Sequence, residues 1–203
     1  MDSTSRLKPI AVGPVTIDDP VILAPMSGVT DMPFRQMVKR GGAGLVVSEM
    51  IASAAMVREN RKTLMMAQGS PEEFPMSVQL AGCEPGVMAE AARLNEDRGA
   101  AIIDINFGCP VKKVVTCNGG SGLLRDLPLV EKILTQVRAA ISIPLTMKFR
   151  AGWNDRELVA VRMAKLAEDC GVAAVALHPR TREQGYAGHA DWTRIADVKQ
   201  AVK

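Results

Sequence analysis

Short apolar runs recur along the chain, beginning near Val21, Ala43, Pro75, Ala101, Ile143 and Val172, each of strand length and mostly continuous. Continuous runs of this kind are expected of parallel strands buried on both faces. Between them the period turns helical. Glu84 and Pro85 open a segment with Val87, Ala91 and Leu94 on one stripe, closed by Gly99; Asp126 and Pro128 open another, carrying Leu129, Ile133 and Val137. Asn154 or Asp155 is expected to cap a third helix, in which Val159, Met163, Leu166 and Cys170 form a stripe stopped by Gly171. A final helical stripe holds Trp192, Ile195, Val198 and Val202.

Alternation of strands and helices predicts an α/β fold with a parallel sheet, either doubly wound or closed into a barrel. No G-x-G-x-x-G follows the first strand, so a dinucleotide fingerprint is absent. Residues with chemical potential end at least five of the strands, whereas an open sheet gathers them at one switch point. The expected architecture is therefore a TIM (β/α)8 barrel in a single domain over residues 1–203, with Ile10 to Ile17, turned at Gly13-Pro14, as a hairpin plugging its N-terminal end. Only about six βα units are present, against the roughly 250 residues of a complete barrel. The chain thus reads as a barrel truncated at its C-terminus, two units short.

With 203 residues, 47% hydrophobic and 23% charged, the composition suits one sizeable soluble core. No apolar run approaches the roughly 18 residues of a membrane span, and Asp2, Arg6, Lys8, Asp18 and Asp19 interrupt the first stretch, so no membrane association and a cytoplasmic location are expected. Cysteines 83, 109, 117 and 170 form no C-x-x-C pair and stand at no metal-ligand spacing from His178 or His189, which argues against a metal site or a disulfide scaffold. The net charge of +3 implies no polyanion partner by itself, but Lys112, Lys113, Arg125, Arg150, Arg180 and Arg182 lie in or near segments that follow strands.

The run Ala101 to Ile105 leads directly into Asn106-Phe107-Gly108-Cys109-Pro110 and a loop with Gly119-Gly120-Ser121-Gly122, which places a thiol where barrels carry their chemistry. A buried structural cysteine is the alternative. With no histidine or acid beside it in sequence, Cys109 reads as a proton donor in preference to a thiolate nucleophile. Lys148, at the exit of an apolar strand, calls for an anion, unless it merely snorkels. Gln79 and Asn106 could hold the imide edge of a planar heterocycle or satisfy loop backbone. His178 could donate to a cofactor or fill the barrel mouth, and Pro25-Met26 could pack on an aromatic plane. A flavin mononucleotide matches this set, with Lys148 offsetting charge that develops at N1 and O2.

Ala24-Pro25-Met26-Ser27-Gly28-Val29-Thr30-Asp31, Val78-Gln79-Leu80, Ile105 through Lys113, Met147-Lys148-Phe149-Arg150 and His178-Pro179-Arg180-Thr181 resemble the motifs of the FMN-dependent tRNA-dihydrouridine synthases, above all the bacterial B type. The resemblance runs from about Ile10 to the last residue. It implies FMN reduced by NADPH, a tRNA D-loop uridine as substrate, hydride delivery to C6, and a proton to C5 from the cysteine matching Cys109. By the same matching Pro25, Met26, Ser27, Gln79, Lys148 and His178 are FMN contacts, Asn106 faces the uracil, and Arg150 and Arg180 are candidates for substrate or phosphate. The family's last two strands, with their phosphate-gripping Asn-Gly-Asp and Gly-Arg segments, and its helical tRNA-binding domain have no counterpart here; a full-length form is expected to be a monomer. The competing readings are an FMN barrel acting on a free pyrimidine, like dihydroorotate dehydrogenase, and a non-catalytic RNA-binding fragment.

Overall fold

In the computed structural model, which describes residues 8–111, 114 and 119–203, the chain opens with an antiparallel hairpin of β1 (Ile10–Val12) and β2 (Val15–Ile17). Lys112, Lys113 and Cys117 lie outside the described residues. A parallel sheet follows, built from β3 (Ile22–Leu23), β4 (Leu45–Val47), β5 (Ile51–Ala52), β6 (Met76–Ala81), β7 (Ile102–Phe107), β8 (Leu145–Arg150) and β9 (Ala174–His178). The order across it is β3-β4-β6-β7-β8-β9, with β5 taking over from β4 beside the far end of β6. Among the described residues β3 and β9 do not pair, so the sheet is an open part of a TIM barrel. The six expected strands all form, each starting within two residues of its apolar run.

The helices are α1 (Met32–Arg40), α2 (Ser53–Val57), α3 (Arg61–Ala67), α4 (Pro85–Asp97), α5 (Leu127–Ala140), α6 (Ala160–Asp169) and α7 (Thr193–Ala201). Asp126 caps α5 by accepting from the Leu129 N–H, as its position before Pro128 suggests. The cap expected at Asn154 or Asp155 does not form. Asn154 Oδ1 accepts from the N–H groups of Arg156 and Glu157, a Gly152–Leu158 bridge closes a small loop, and α6 starts only at Ala160. The last stripe is also corrected: Trp192 is 76% exposed, and Val198 is the buried member of α7. No helix among the described residues is long and apolar enough to cross a membrane.

The central strands are buried on both faces as expected, β6 at all six positions and β7 at five of six, but apolar and polar residues alternate along them. Val78, Leu80, Ile103, Ile105, Phe107, Leu145, Met147 and Phe149 pack with Met88, Ala91, Ile133, Val137 and Met163 of the helices. Each such side chain contributes about 1.5–3 kcal/mol on burial. The intervening positions point into the barrel and are mostly polar. Strand register sets Gln79, Asp104 and Thr146 at one level, Asn106 and Lys148 at the next, and Arg150 beside His178. At the opposite end Val12 and Ile17 of the hairpin pack with Leu45, Ala101 and Ile102, sealing the floor as expected. A Cβ on Gly44 would stand 2.0 Å from the Asp19 carbonyl oxygen, so only glycine lets the hairpin's exit cross β4 this closely.

Candidate active site

The inner face of β6, β7 and β8 carries one connected set of polar side chains. Asp104, 7% exposed, accepts hydrogen bonds from Gln79 Nε2 and Thr146 Oγ1, each at 2.7 Å. Asn106 Nδ2 donates to Gln79 Oε1 at 2.8 Å, while Asn106 Oδ1 accepts from the N–H groups of Gly108 and Cys109 at 3.0 and 2.8 Å. Burial drives the Asp104 carboxyl above its ordinary range, against the two donors and the Lys148 charge that favour ionisation.

This set ends at Cys109, whose backbone is fastened from three sides. Its N–H is on Asn106, and its carbonyl accepts from the Ser121 N–H at 3.0 Å and the Ser121 hydroxyl at 2.9 Å. Gly120 comes so near that a Cβ would meet the Cys109 oxygen at 2.8 Å, and its φ of +55° is itself a glycine conformation. Arg150, 3% exposed, donates through Nε to the Gly108 carbonyl at 3.1 Å and through Nη1 to the carbonyls of Thr181 and Gly185 at 3.0 and 2.9 Å. Its guanidinium also sits 5.6 Å from the ring of Tyr186. The thiol of Cys109 is half-buried and in no disulfide.

Lys148 projects into the lumen, half-buried, and makes no hydrogen bond or ion pair among the described residues. Burial lowers its pKa from 10.5; Asp104 opposes the fall and Arg150 adds to it. At the rim, burial and the charges of Arg150, Lys148 and Arg180 push His178 down to about 4. Its Nδ1 accepts from the Arg180 N–H at 3.3 Å, so the neutral ring carries its proton on Nε2, facing outward as a donor. We expect the imidazole of His178, followed by NMR in a His189→Gln background, to remain neutral from pH 8 to about 5. Because the folded-state pKa lies below the ordinary 6.5, the unfolded chain takes up this proton first. This group's contribution to stability is therefore complete above pH 6.5 and is lost as pH falls toward about 4. An NMR midpoint near 6.5 would contradict this.

The β3–α1 loop faces these residues. Thr30 Oγ1 both accepts from the Met26 N–H and donates to the Met26 carbonyl, and the buried Arg35, paired with Glu73, holds the Thr30 carbonyl through Nη1. Pro25 is half-buried, whereas Met26 and Ser27 are exposed at the rim. A cavity of about 380 Å³ runs from the hairpin floor to this level, lined there by Ala24, Pro25, Asp104, Thr146, Lys148 and Ala176. The structure thus gathers Pro25, Gln79, Asn106, Lys148 and His178 at one end of the barrel beside Cys109. Gln79, 1% exposed and in mid-strand, is engaged at both ends of its amide; Nε and Nη1 of Arg150 donate to carbonyls. Arg180 donates through Nη2 to the Gly188 carbonyl at 2.8 Å, and its buried Nε has no partner among the described residues.

Sequence reasoning passed over Asp104, Thr146, Ser121 and Tyr186. The first two had a readable signal, the i, i+2 polar alternation of Asp104-x-Asn106 and Thr146-x-Lys148-x-Arg150 inside apolar strands. Tyr186, 79% exposed in the β9–α7 loop and 6.5 Å from His178 by ring centres, had none.

Residues 22–203 match the family model described as dihydrouridine synthase (Dus). The chain is 53% identical over 195 residues to a "probable tRNA-dihydrouridine synthase" of Rickettsia bellii, covering 96% of this chain and 60% of that protein. It is 50% identical over 192 residues to tRNA-dihydrouridine synthase B of Xanthomonas axonopodis pv. citri, covering 95% and 58%. The chain therefore spans about 60% of the length of the curated relatives it matches. Among solved structures, morphinone reductase superposes with a TM-score of 0.62 at 11% identity, over 96% of this chain and 76% of that one. Inosine 5′-monophosphate dehydrogenase from Legionella pneumophila gives 0.58 at 18%, over 92% and 49%. These two likenesses concern the fold alone.

Proposed function

The chain belongs to the dihydrouridine synthase family, and from that membership we propose that it forms the catalytic barrel of an FMN-dependent enzyme that reduces the C5–C6 bond of uridine in tRNA, with NADPH as reductant. The observation that carries this reading is the placing of Cys109, held by its backbone, at the end of a lumen that contains the ammonium of Lys148, which pairs with no group among the described residues. The residues fit a flavin by their chemistry. Lys148 is a cation with no hydrogen bond or ion pair among the described residues, His178 offers an Nε2–H donor, and Pro25 and Met26 supply an apolar edge. When bound, FMN supplies the reducing equivalents.

The chain's own residues account for the remaining tasks. Cys109 carries a proton to C5 of the uracil, and after turnover takes one back from solvent. Lys148, half-buried in the lumen, would hold the flavin ring through its ammonium and favour negative charge there. Asn106 retains one Nδ2–H beyond its bond to Gln79 and can offer it to the uracil. Arg150 braces the carbonyls that frame the thiol, and Arg180, the more exposed of the two, is the better placed for a phosphate. A uridine must leave its stack to reach such a site, which an RNA loop permits.

The test is a dihydrouridine assay on unmodified tRNA with NADPH, run on this chain alone and fused to the C-terminal part of a family-length relative, with free uridine and orotate as competitors. We expect product from tRNA only. Turnover of the free pyrimidines would favour a small-molecule reductase, and a colourless protein that still binds tRNA would favour a non-catalytic role.

A further inference from the structure

The reading above gives no task to Asp104, although it is the most deeply placed ionisable group in the lumen. Its partners show what it can do. The N–H groups of Gly108 and Cys109 are backbone donors and cannot reverse, so the Asn106 atom that meets both must be the oxygen. Asn106 therefore presents its NH2 to Gln79, and the Gln79 atom that receives it must in turn be the oxygen. That leaves the Gln79 NH2 directed at position 104, where only an acceptor satisfies it. The direction of every bond follows from the loop inward, and one residue terminates it. Ser48 holds the strand end of this chain by accepting from the Gln79 N–H at 3.0 Å.

We propose that Asp104 is a positioning residue: by accepting from Gln79 it anchors the inner end of the relay through which Gln79 and Asn106 hold the Cys109 loop. This rests on the assignment of Cys109 as proton donor only for its catalytic consequence. Thr146 assists by donating to the second carboxylate oxygen, which keeps the carboxylate plane turned toward Gln79. With position 104 made apolar, the Gln79 NH2 would be buried without a partner, and its amide would no longer be held in one orientation from the lumen side. An amide that turned would offer its NH2 to the Asn106 NH2, donor against donor. Asn106 would then turn as well, withdrawing the oxygen that the Gly108 and Cys109 N–H groups share.

Asparagine and alanine separate this role from simple filling of the barrel. Asparagine at 104 can still present Oδ1 to Gln79 and donate Nδ2 to the Thr146 hydroxyl, so it preserves the direction of the relay while removing the charge. Alanine removes the acceptor. The measurement is amide hydrogen exchange at Gly108 and Cys109, which needs neither flavin nor tRNA and so stands or falls apart from the proposed activity. We expect Asp104→Ala to raise exchange at these two amides by roughly tenfold or more, with Asp104→Asn near wild type. In an active fusion, kcat for Asp104→Ala should fall roughly 10- to 100-fold with KM for tRNA and flavin content unchanged, since small displacements of a catalytic group cost this much. Equal protection in the alanine and wild-type proteins, or equal loss in the alanine and asparagine variants, would overturn the proposal. Should Asp104→Ala fail to fold, Gln79→Met cuts the same relay one link nearer the loop; exchange at the two amides must then rise with Asp104 intact, and no rise would equally defeat it.

Discussion

Replacing Cys109 with alanine is expected to lower dihydrouridine formation by about 10²–10⁴-fold, the usual contribution of a positioned general acid, while flavin content and reduction by NADPH stay as they are. The separation follows from geometry. The bonds that hold this loop run through the backbone of Cys109, to Asn106 and Ser121, and none of them uses the sulfur. Alanine keeps them all and removes only the group that delivers the proton. Single-turnover kinetics on tRNA, with flavin reduction and reoxidation monitored separately, distinguish the steps: reduction at the normal rate should be followed by a slow reoxidation by tRNA. A Cys109→Ala enzyme with wild-type reoxidation would assign the proton to another group, and Cys109→Ser, with a weaker acid of similar size, should fall between the two.

Lys148→Met is expected to weaken flavin binding by about 10- to 100-fold, which corresponds to the roughly 1.5–3 kcal/mol of a hydrogen bond involving a charged group. It should also lower the flavin's reduction potential, because the cation stabilises the reduced, anionic ring more than the oxidised one. Burial holds the Lys148 pKa below 10.5, so wild-type flavin affinity should decline as pH rises through that lowered value, and the methionine variant should lack the decline. Fluorescence titration of flavin between pH 7 and 10, with potentials measured against a reference dye, checks both points. Unchanged affinity and potential would reduce Lys148 to a lysine that merely snorkels from a strand end. Asp104 is the countercharge that opposes this fall. Asp104→Asn should therefore move the alkaline decline to lower pH without disturbing the Cys109 loop, and one variant then reads both functions of the carboxylate independently.

Much of the architecture was legible because its causes are local. Apolar runs of strand length, a proline two residues into α5 and the aspartate that caps it sit within a few residues of the structure they specify. The hairpin at Gly13-Pro14 was likewise readable from its turn. Where local signals competed, the reading failed. Asn154 is a good helix cap in isolation, but the Gly152–Leu158 bridge and two N–H groups bound to the Ala151 carbonyl drew it into a loop. Reading the runs as continuous, not alternating, hid Asp104 and Thr146, which the i, i+2 polar pattern could have placed on the inner face.

The sequence by itself determined the succession of βα units, the identity of the thiol and its loop, and the presence of a lysine and a histidine on strands that end at the same side. Those depend on residue type and spacing along the chain. Only the tertiary structure decided what the side chains do to one another. Strand register brings Asp104 beside Gln79 and Thr146, and Asn106 beside Lys148, from segments 25 to 42 residues apart. The same packing engages Gln79 with Asp104, and Arg150 with the carbonyls of Gly108 and Thr181, contacts between segments distant in sequence. It also left Lys148 without a hydrogen bond or ion pair among the described residues and lowered the pKa of His178, since burial and neighbouring charge act through space and leave no mark on the sequence.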